Sequence, residues 1–353
     1  MNACALQLGA KFALLALFLV SQAFAGQYLV KVKGNQILLN DRTVKILGLR
    51  CSNALISEAK TNELIANLDT FKSYGVNTVS VFLMGSRFGN IKGYLPDASL
   101  DAIYAARLGR IIDEADARGM IILVGCLYWS TSTAKDDLGT WKQTDANRAI
   151  ANTIRWLKDH NYRNVLVDVD NEGMAHKATG WSIAQMIDAA HAVDPAIMVA
   201  YNDSDPTPGN ADLYIHFSPK VTGKPWLDSE ATPTNTPGGY WGSYSKETNE
   251  KTGGMFYNYS RIGRYTSDMK SNQLSQTHDG YENYNGHMLA STWLQCAPGG
   301  GVNGPFMFPG GSSNITDVNS DVDKLHTDAG ILWWLEYIKK RYGAWNPPPP
   351  HDR

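Results

Sequence analysis

Met120-Ile-Ile-Leu-Val-Gly-Cys-Leu127 is apolar from end to end, and Asn164-Val-Leu-Val-Asp-Val-Asp170 is nearly so. Short apolar runs without alternation read as strands buried on both faces. Between them, Ala146 to Asp159 has helical periodicity. Strand, helix and strand in this order form a parallel crossover unit. The pattern extends both ways. Upstream, Gln27 to Leu49 turns at Gly34-Asn35 and Asn40-Asp41, and reads as a short hairpin running into a buried strand, Val44 to Leu49. A helical stretch with Leu64, Ile65, Leu68 and Phe71 closes at Tyr74-Gly75, and strand Asn77 to Leu83 follows. Leu100 to Arg118 reads as a helix with Ile103, Leu108, Ile111, Ile112 and Ala115 on one face. Downstream, helix Trp181 to Val193 leads to strand Ile197 to Tyr201.

Three further strands are expected at Leu213 to Phe217, Pro225 to Ser229 and His287 to Trp293. Helices are expected near Met255 to Lys270 and from Val322 to Arg341, the second carrying Trp333-Trp334 against the barrel. Eight strands favour a (β/α)8 TIM barrel over a doubly wound sheet. The crossovers around strands five to seven fit least well. Neither Asn202 to Ala211 nor Pro219 to Gly223 accommodates a helix. Either these connections are degenerate loops or one strand is misassigned.

The 353 residues are 43% hydrophobic and 19% charged, the composition of a compact globular chain. Lys and Arg number 32 against 34 Asp and Glu, so no basic field favours nucleic acid. The apolar run Phe12 to Val20 follows Lys11 and ends at Ala23-Phe24-Ala25, the small-x-small pattern of an export signal. It is shorter than the roughly 20 residues needed to span a bilayer. The expected organisation is therefore a signal over 1–25, one barrel domain over 26–345 and a Pro-rich tail over 346–353, secreted or periplasmic and without a membrane anchor. Beyond the signal, Cys51, Cys126 and Cys296 are an odd number and read as buried apolar residues. The first and eighth barrel strands are neighbours, so Cys51 and Cys296 could approach each other. Neither CxxC nor HExxH occurs, and the Gly-rich run after Pro298 precedes neither a helix nor a Lys. No metal or other cofactor is expected.

In a parallel barrel, ligands bind at the C-terminal ends of the strands. The fourth strand ends Asp170-Asn171-Glu172-Gly173, and the seventh ends Asp228-Ser229-Glu230-Ala231. Two carboxyl groups facing across a cleft suit glycoside hydrolysis, where one holds a proton for the leaving oxygen and the other stays ionised. The Asn171 amide could hold a substrate hydroxyl beside the reacting carbon. Trp129 after the third strand and Trp241 beyond Glu230 are candidate platforms for the C–H faces of sugar rings.

With Asn171-Glu172, Glu230 and Trp293 on its fourth, seventh and eighth strands, the chain resembles the retaining clan-A glycoside hydrolases, in the style of the family-five cellulases and mannanases. The opening hairpin, Ile46 to Leu49 and Tyr74 to Val79 also look like that group. The resemblance implies Glu172 as acid/base, Glu230 as nucleophile, His216 as the strand-six histidine and Trp293 as the platform in the cleavage subsite. Its substrate would be a polysaccharide or oligosaccharide. Two positions depart from the family. Ser80 stands where an arginine on the second strand is usual, leaving Arg50 as a candidate substitute, and Ser218 replaces a common tyrosine. Two rival readings stay open. One is a metal-dependent barrel hydrolase using Asp168, Asp170, Glu172 and His216; the other is a non-catalytic carbohydrate-binding barrel.

Overall fold

The computed structural model describes residues 26–52, 54–85, 91–129, 133–230, 267–289 and 331–351. The chain opens with an antiparallel meander of β1 (Val30–Lys33), β2 (Gln36–Leu39) and β3 (Arg42–Val44) rather than a lone hairpin. Asn40 and Asp41, at φ 47° and 63°, form the second turn, the left-handed pair whose twist suits a two-residue connection.

Eight parallel strands follow: β4 (Ile46–Arg50), β5 (Thr78–Phe82), β6 (Ile121–Leu127), β7 (Val165–Asp170), β8 (Met198–Tyr201), β9 (Leu213–Ile215), β10 (Trp226–Leu227) and β11 (Gly286–Leu289). Their order is β10-β9-β8-β7-β6-β5-β4-β11. The ends meet at a parallel bridge between Asp228 and His287, with Asn285 N donating to Trp226 O at 2.9 Å and Met288 N to Asp228 O at 2.7 Å. The result is the expected (β/α)8 barrel, nearly closed. The two doubtful crossovers are loops, and both strands are real. With β9 three residues long and β10 two, the return path is short, and residues 216–225 cover it without a helix.

Helices α1 (Glu58–Tyr74), α2 (Ala102–Asp116), α3 (Gln143–Asp159), α4 (Met174–Thr179), α5 (Ile183–Val193), α6 (Ser267–Asn283) and α7 (Leu332–Tyr342) lie among the described residues. Helix α1 begins where Ser57 caps Lys60 N and ends at Gly75, φ 103°, whose N–H bonds Lys72 O. Ile103 departs from expectation: at 59% exposure it lies off the buried face that Leu108, Ile111 and Ile112 form. Of the helix expected near Met255 to Lys270, residues 255–266 lie outside the described residues; in α6, which begins at Ser267, Thr277 Oγ1 accepts from Trp334 Nε1 of α7 at 2.9 Å. No helix among the described residues is long and apolar enough to cross a membrane.

Two apolar clusters carry the packing. Helices cover the outer face of the strands, while Ile46, Leu123, Leu166, Ile215 and Met288 fill the interior against Val30, Ile37 and Leu39 of the meander. The meander therefore stops the N-terminal end, and the opposite rim is left for chemistry. The Pro-rich tail also packs on the stopped end. Trp345 Nε1 donates to Gly119 O at 2.8 Å, Asn40 Nδ2 to Pro349 O at 2.9 Å and His351 N to Gln27 O at 2.9 Å. Cys51 and Cys126 are buried, and burial raises both thiol pKa values, that of Cys126 to about 12. Cys296 lies outside the described residues, as does the expected signal.

One interior position has no room for a side chain. A Cβ on Gly125 would come within 2.2 Å of the Phe82 ring. Gly125→Ala is expected to lower unfolding free energy by about 1–3 kcal/mol through overpacking, measured by denaturant unfolding. An unchanged midpoint would mean that the ring moves aside without cost.

Candidate active site

Strand β7 turns Leu166, Asp168 and Asp170 toward the barrel axis and then breaks. Glu172 (φ 55°, ψ 24°) and Gly173 (φ 61°, ψ 26°) are consecutive left-handed residues that reverse the chain into α4. For glutamate that conformation costs about 1–2 kcal/mol, so neighbouring contacts must hold it. Asp170 Oδ1 and Oδ2 accept from Ala175 N and His176 N at 2.8 and 2.9 Å, and Lys177 Nζ donates to Glu172 O at 2.6 Å. Gly173 is required for space as well as dihedral, since a Cβ would lie 2.0 Å from Asp203 Oδ2.

The expected residues Arg50, Asn171, Glu172, His216 and Glu230 gather at this rim. Arg50, 1% exposed, pairs through Nη1 with Glu230 Oε2 at 3.0 Å and donates through Nη2 to Asn171 Oδ1 at 2.7 Å. Arg50 is in register with Ser80 on the next strand, so the guanidinium enters from one strand over from the family's usual position. His216 leaves β9 at φ 50°, with Nδ1 3.0 Å from the Glu230 carbonyl and Nε2 3.5 Å from Glu172 Oε1. One ligand atom each from Glu172, His216 and Glu230 lies within 4.8 Å of the others. Trp129 departs from the open platform expected. It is 6% exposed and packs edge-on to Trp181 at 4.6 Å and near Trp141 at 5.9 Å, which covers it with protein. Trp241 and Trp293 lie outside the described residues.

The electrostatics follow from these contacts. Burial acts to lower the Arg50 pKa, but Glu230, Tyr128, Glu172 and Asp168 outweigh it and raise it. Burial likewise acts to lower that of His216, and the contact with Glu172 and the charge of Glu230 raise it above the ordinary value. For Glu172 burial acts upward, and His216, Arg50 and Lys177 overcome it, so its pKa is lowered. A carbonyl only accepts, so His216 Nδ1 carries a hydrogen, and the Nε2–Oε1 contact is attractive only when it holds a second proton. The trio could ligate a metal, but the Arg50 guanidinium already balances Glu230. The ligand set of the metal-dependent reading does not converge among the described residues, where Glu172 and His216 group with Glu230 while Asp168 accepts from Asn202 Nδ2 at 2.8 Å and both oxygens of Asp170 accept from α4.

Sequence reasoning missed Asn202 and the buried Asp228–His287 pair, Oδ2 to Nδ1 at 2.8 Å. Asn202 directly follows β8, so the strand-end rule that singles out Glu172 also reaches it. The pair joining β10 and β11 carries no sequence signal, since its partners are distant along the chain.

The fold is shared with solved glycoside hydrolases. A structure described as a glycoside hydrolase superposes with TM-score 0.56 at 14% identity, covering 91% of this chain and 76% of its own. A family 5 glycoside hydrolase from Bacteroides vulgatus gives 0.54 at 15%, covering 90% and 70%. A family 5 mannosidase from Rhizomucor miehei in complex with mannosyl-fructose gives 0.54 at 9%, covering 88% and 96%. No family model matches the chain, and no curated protein matches it.

Burial raises the pKa of Asp168 to about 6 against the hydrogen bond from Asn202, and that of Asp170 to about 7. A carboxyl whose pKa is higher folded than unfolded stabilises the fold below its unfolded value, near 4, and loses that contribution as pH rises through the folded value. Unfolding free energy should therefore carry a downward component between pH of about 4 and 7. In Asp168→Asn the part belonging to Asp168, up to pH of about 6, is expected to vanish. Denaturant unfolding at stepped pH measures it, and a variant with the parental slope would exclude this origin.

Proposed function

We propose that the chain is a retaining β-glycoside hydrolase acting on a polysaccharide or oligosaccharide, with Glu172 as acid/base and Glu230 as nucleophile. The observation that carries this is the approach of their carboxylate oxygens to within 4.8 Å across the barrel rim. Such closeness is compatible with the roughly 5–5.5 Å between carboxyl groups in double displacement. The fold shared with family 5 enzymes, one of them holding a sugar, supports the same substrate class.

Each residue then has a task. Arg50 keeps Glu230 ionised and fixes the Asn171 amide by its Oδ1, leaving Nδ2 to meet a sugar hydroxyl. The proton held between His216 Nε2 and Glu172 Oε1 passes through Glu172 to the departing oxygen while Glu230 attacks the anomeric carbon. Ester formation removes the charge of Glu230. Loss of that neighbouring anion lowers the proton affinity of Glu172, which suits it to deprotonate water in the second step. A non-catalytic sugar-binding barrel would have no use for two apposed carboxylates beside a buried arginine.

Both mutants on one activated aryl glycoside test the roles. Glu230→Ala is expected to be inactive on every substrate, with azide restoring turnover and inverting the anomeric configuration. Glu172→Ala should still form the intermediate, and azide should then give product of retained configuration. The opposite pattern would exchange the roles, and near-parental rates in both would place the site elsewhere. Residues 1–25 we read as an export signal, so the protein recovered from periplasm or medium is expected to begin at Gly26. Amino-terminal sequencing that starts at Met1 would refute this.

A further inference from the structure

Just beyond Glu172, α4 carries His176, and the loop after β8 carries Asp203 and Asp205. One ligand atom from each lies within 4.8 Å of the other two. The His176 ring is oriented from outside this group. Its Nδ1 is 2.8 Å from the Trp181 carbonyl, which can only accept, so Nδ1 carries the hydrogen. Nε2 then faces Asp205 Oδ2 at 3.0 Å. A lone pair against a carboxylate oxygen needs a cation between them, either a proton or a metal ion.

Asp203 distinguishes the two. Its side chain is 0% exposed. Oδ1 accepts from Ser204 N at 2.6 Å and pairs with Lys177 Nζ at 2.6 Å, while Oδ2 is buried with no hydrogen-bond partner among the described residues. A proton on His176 would satisfy Asp205 and leave that anionic oxygen unmatched. A metal ion would satisfy both.

We propose that His176 Nε2 and one carboxylate oxygen each of Asp203 and Asp205 form a binding site for a divalent transition metal, with Zn2+ the best match. Ligand atoms about 2.1 Å from such an ion lie about 3.0–3.4 Å apart for octahedral to tetrahedral angles, which accommodates the 3.0 Å contact. A mixed nitrogen and oxygen set favours Zn2+ over the all-oxygen preference of Ca2+. The Nδ1–H bond to a backbone carbonyl is the second contact that metal-bound histidines keep. Two carboxylates less the Lys177 charge leave one negative charge, and Asp205, 52% exposed, gives the ion a solvent entry. Bound there, the ion would tie α4 to the loop after β8 and brace the left-handed turn at Glu172 from behind, taking no part in bond cleavage. The site does not depend on the hydrolase reading.

The test is calorimetric titration of chelator-stripped, untagged full-length protein with ZnCl2, paired with thermal unfolding. One equivalent is expected to bind and to raise the unfolding temperature, with affinity falling as pH drops and protons compete for the ligand atoms. His176→Ala and Asp203→Asn should each weaken binding by more than about tenfold. If buried Asp203→Asn fails to fold, the exposed Asp205→Asn serves instead. Glu230→Gln should bind as the parent does, which separates this site from the Glu172, His216 and Glu230 group. Absence of binding heat and of a thermal shift in the folded parent would overturn the proposal, as would zinc binding that survives both His176→Ala and Asp205→Asn, or that is lost only in Glu230→Gln.

Discussion

Taking the Arg50 guanidinium out of water costs several kcal/mol unless opposite charge and hydrogen-bond acceptors meet it in the right geometry. Here Glu230 supplies the charge and Asn171 the neutral acceptor, on opposite sides of one planar fork. Because the three residues come from β4, the turn after β7 and the segment after β10, the fork ties together parts of the rim distant along the chain. Its face lies over Phe82, 4.7 Å from the ring centre, and the ring in turn occupies the space that Gly125 leaves. Moving Arg50 would disturb both the rim and the packing beneath it.

The same guanidinium sets the proton affinities around it. Two carboxylates and an imidazole crowded together would ordinarily hold extra protons, but His216 and the fixed cation together lower the pKa of Glu172 against its burial. Deeper in the barrel the balance differs. Asp168 and Asp170 are less well compensated, and burial raises both their pKa values. Acids a few residues apart thus have opposite tendencies: burial prevails at Asp168 and Asp170, and the contact with His216 and the charges of Arg50 and Lys177 prevail at Glu172.

Periodicity made the strands and helices legible, because burial on both faces leaves uninterrupted apolar runs such as Met120 to Leu127. It misjudged extent or pairing where elements are short or held by tertiary contacts. Strand β10 has two residues, and the lone-hairpin reading missed that Arg42 to Val44 pairs back on β2. Strand-end carboxylates pointed to Glu172 and Glu230, since their position follows from the fold alone. The roles of Arg50 and Asp170 were less legible. Which partner a buried charge finds depends on residues 121 or more positions away for Arg50, and for Asp170 on a left-handed turn that removes Glu172 from the strand's alternation. Trp129 shows the converse. Its place after β6 suggested an open platform, but Trp181 and Trp141 converge on it from outside the local sequence.

The backbone bond between His351 and Gln27 sets the two ends of the described fold side by side, beneath the meander and on the face opposite Glu172 and Glu230. Such proximity makes the linear order of the chain almost incidental to its shape, and a short peptide joining the two positions would give a ring without moving an element. It also gives the molecule a handle. Tethered to a solid support through either end, the barrel would stand with its open rim directed outward, so an immobilised preparation would keep its mouth facing the surrounding liquid.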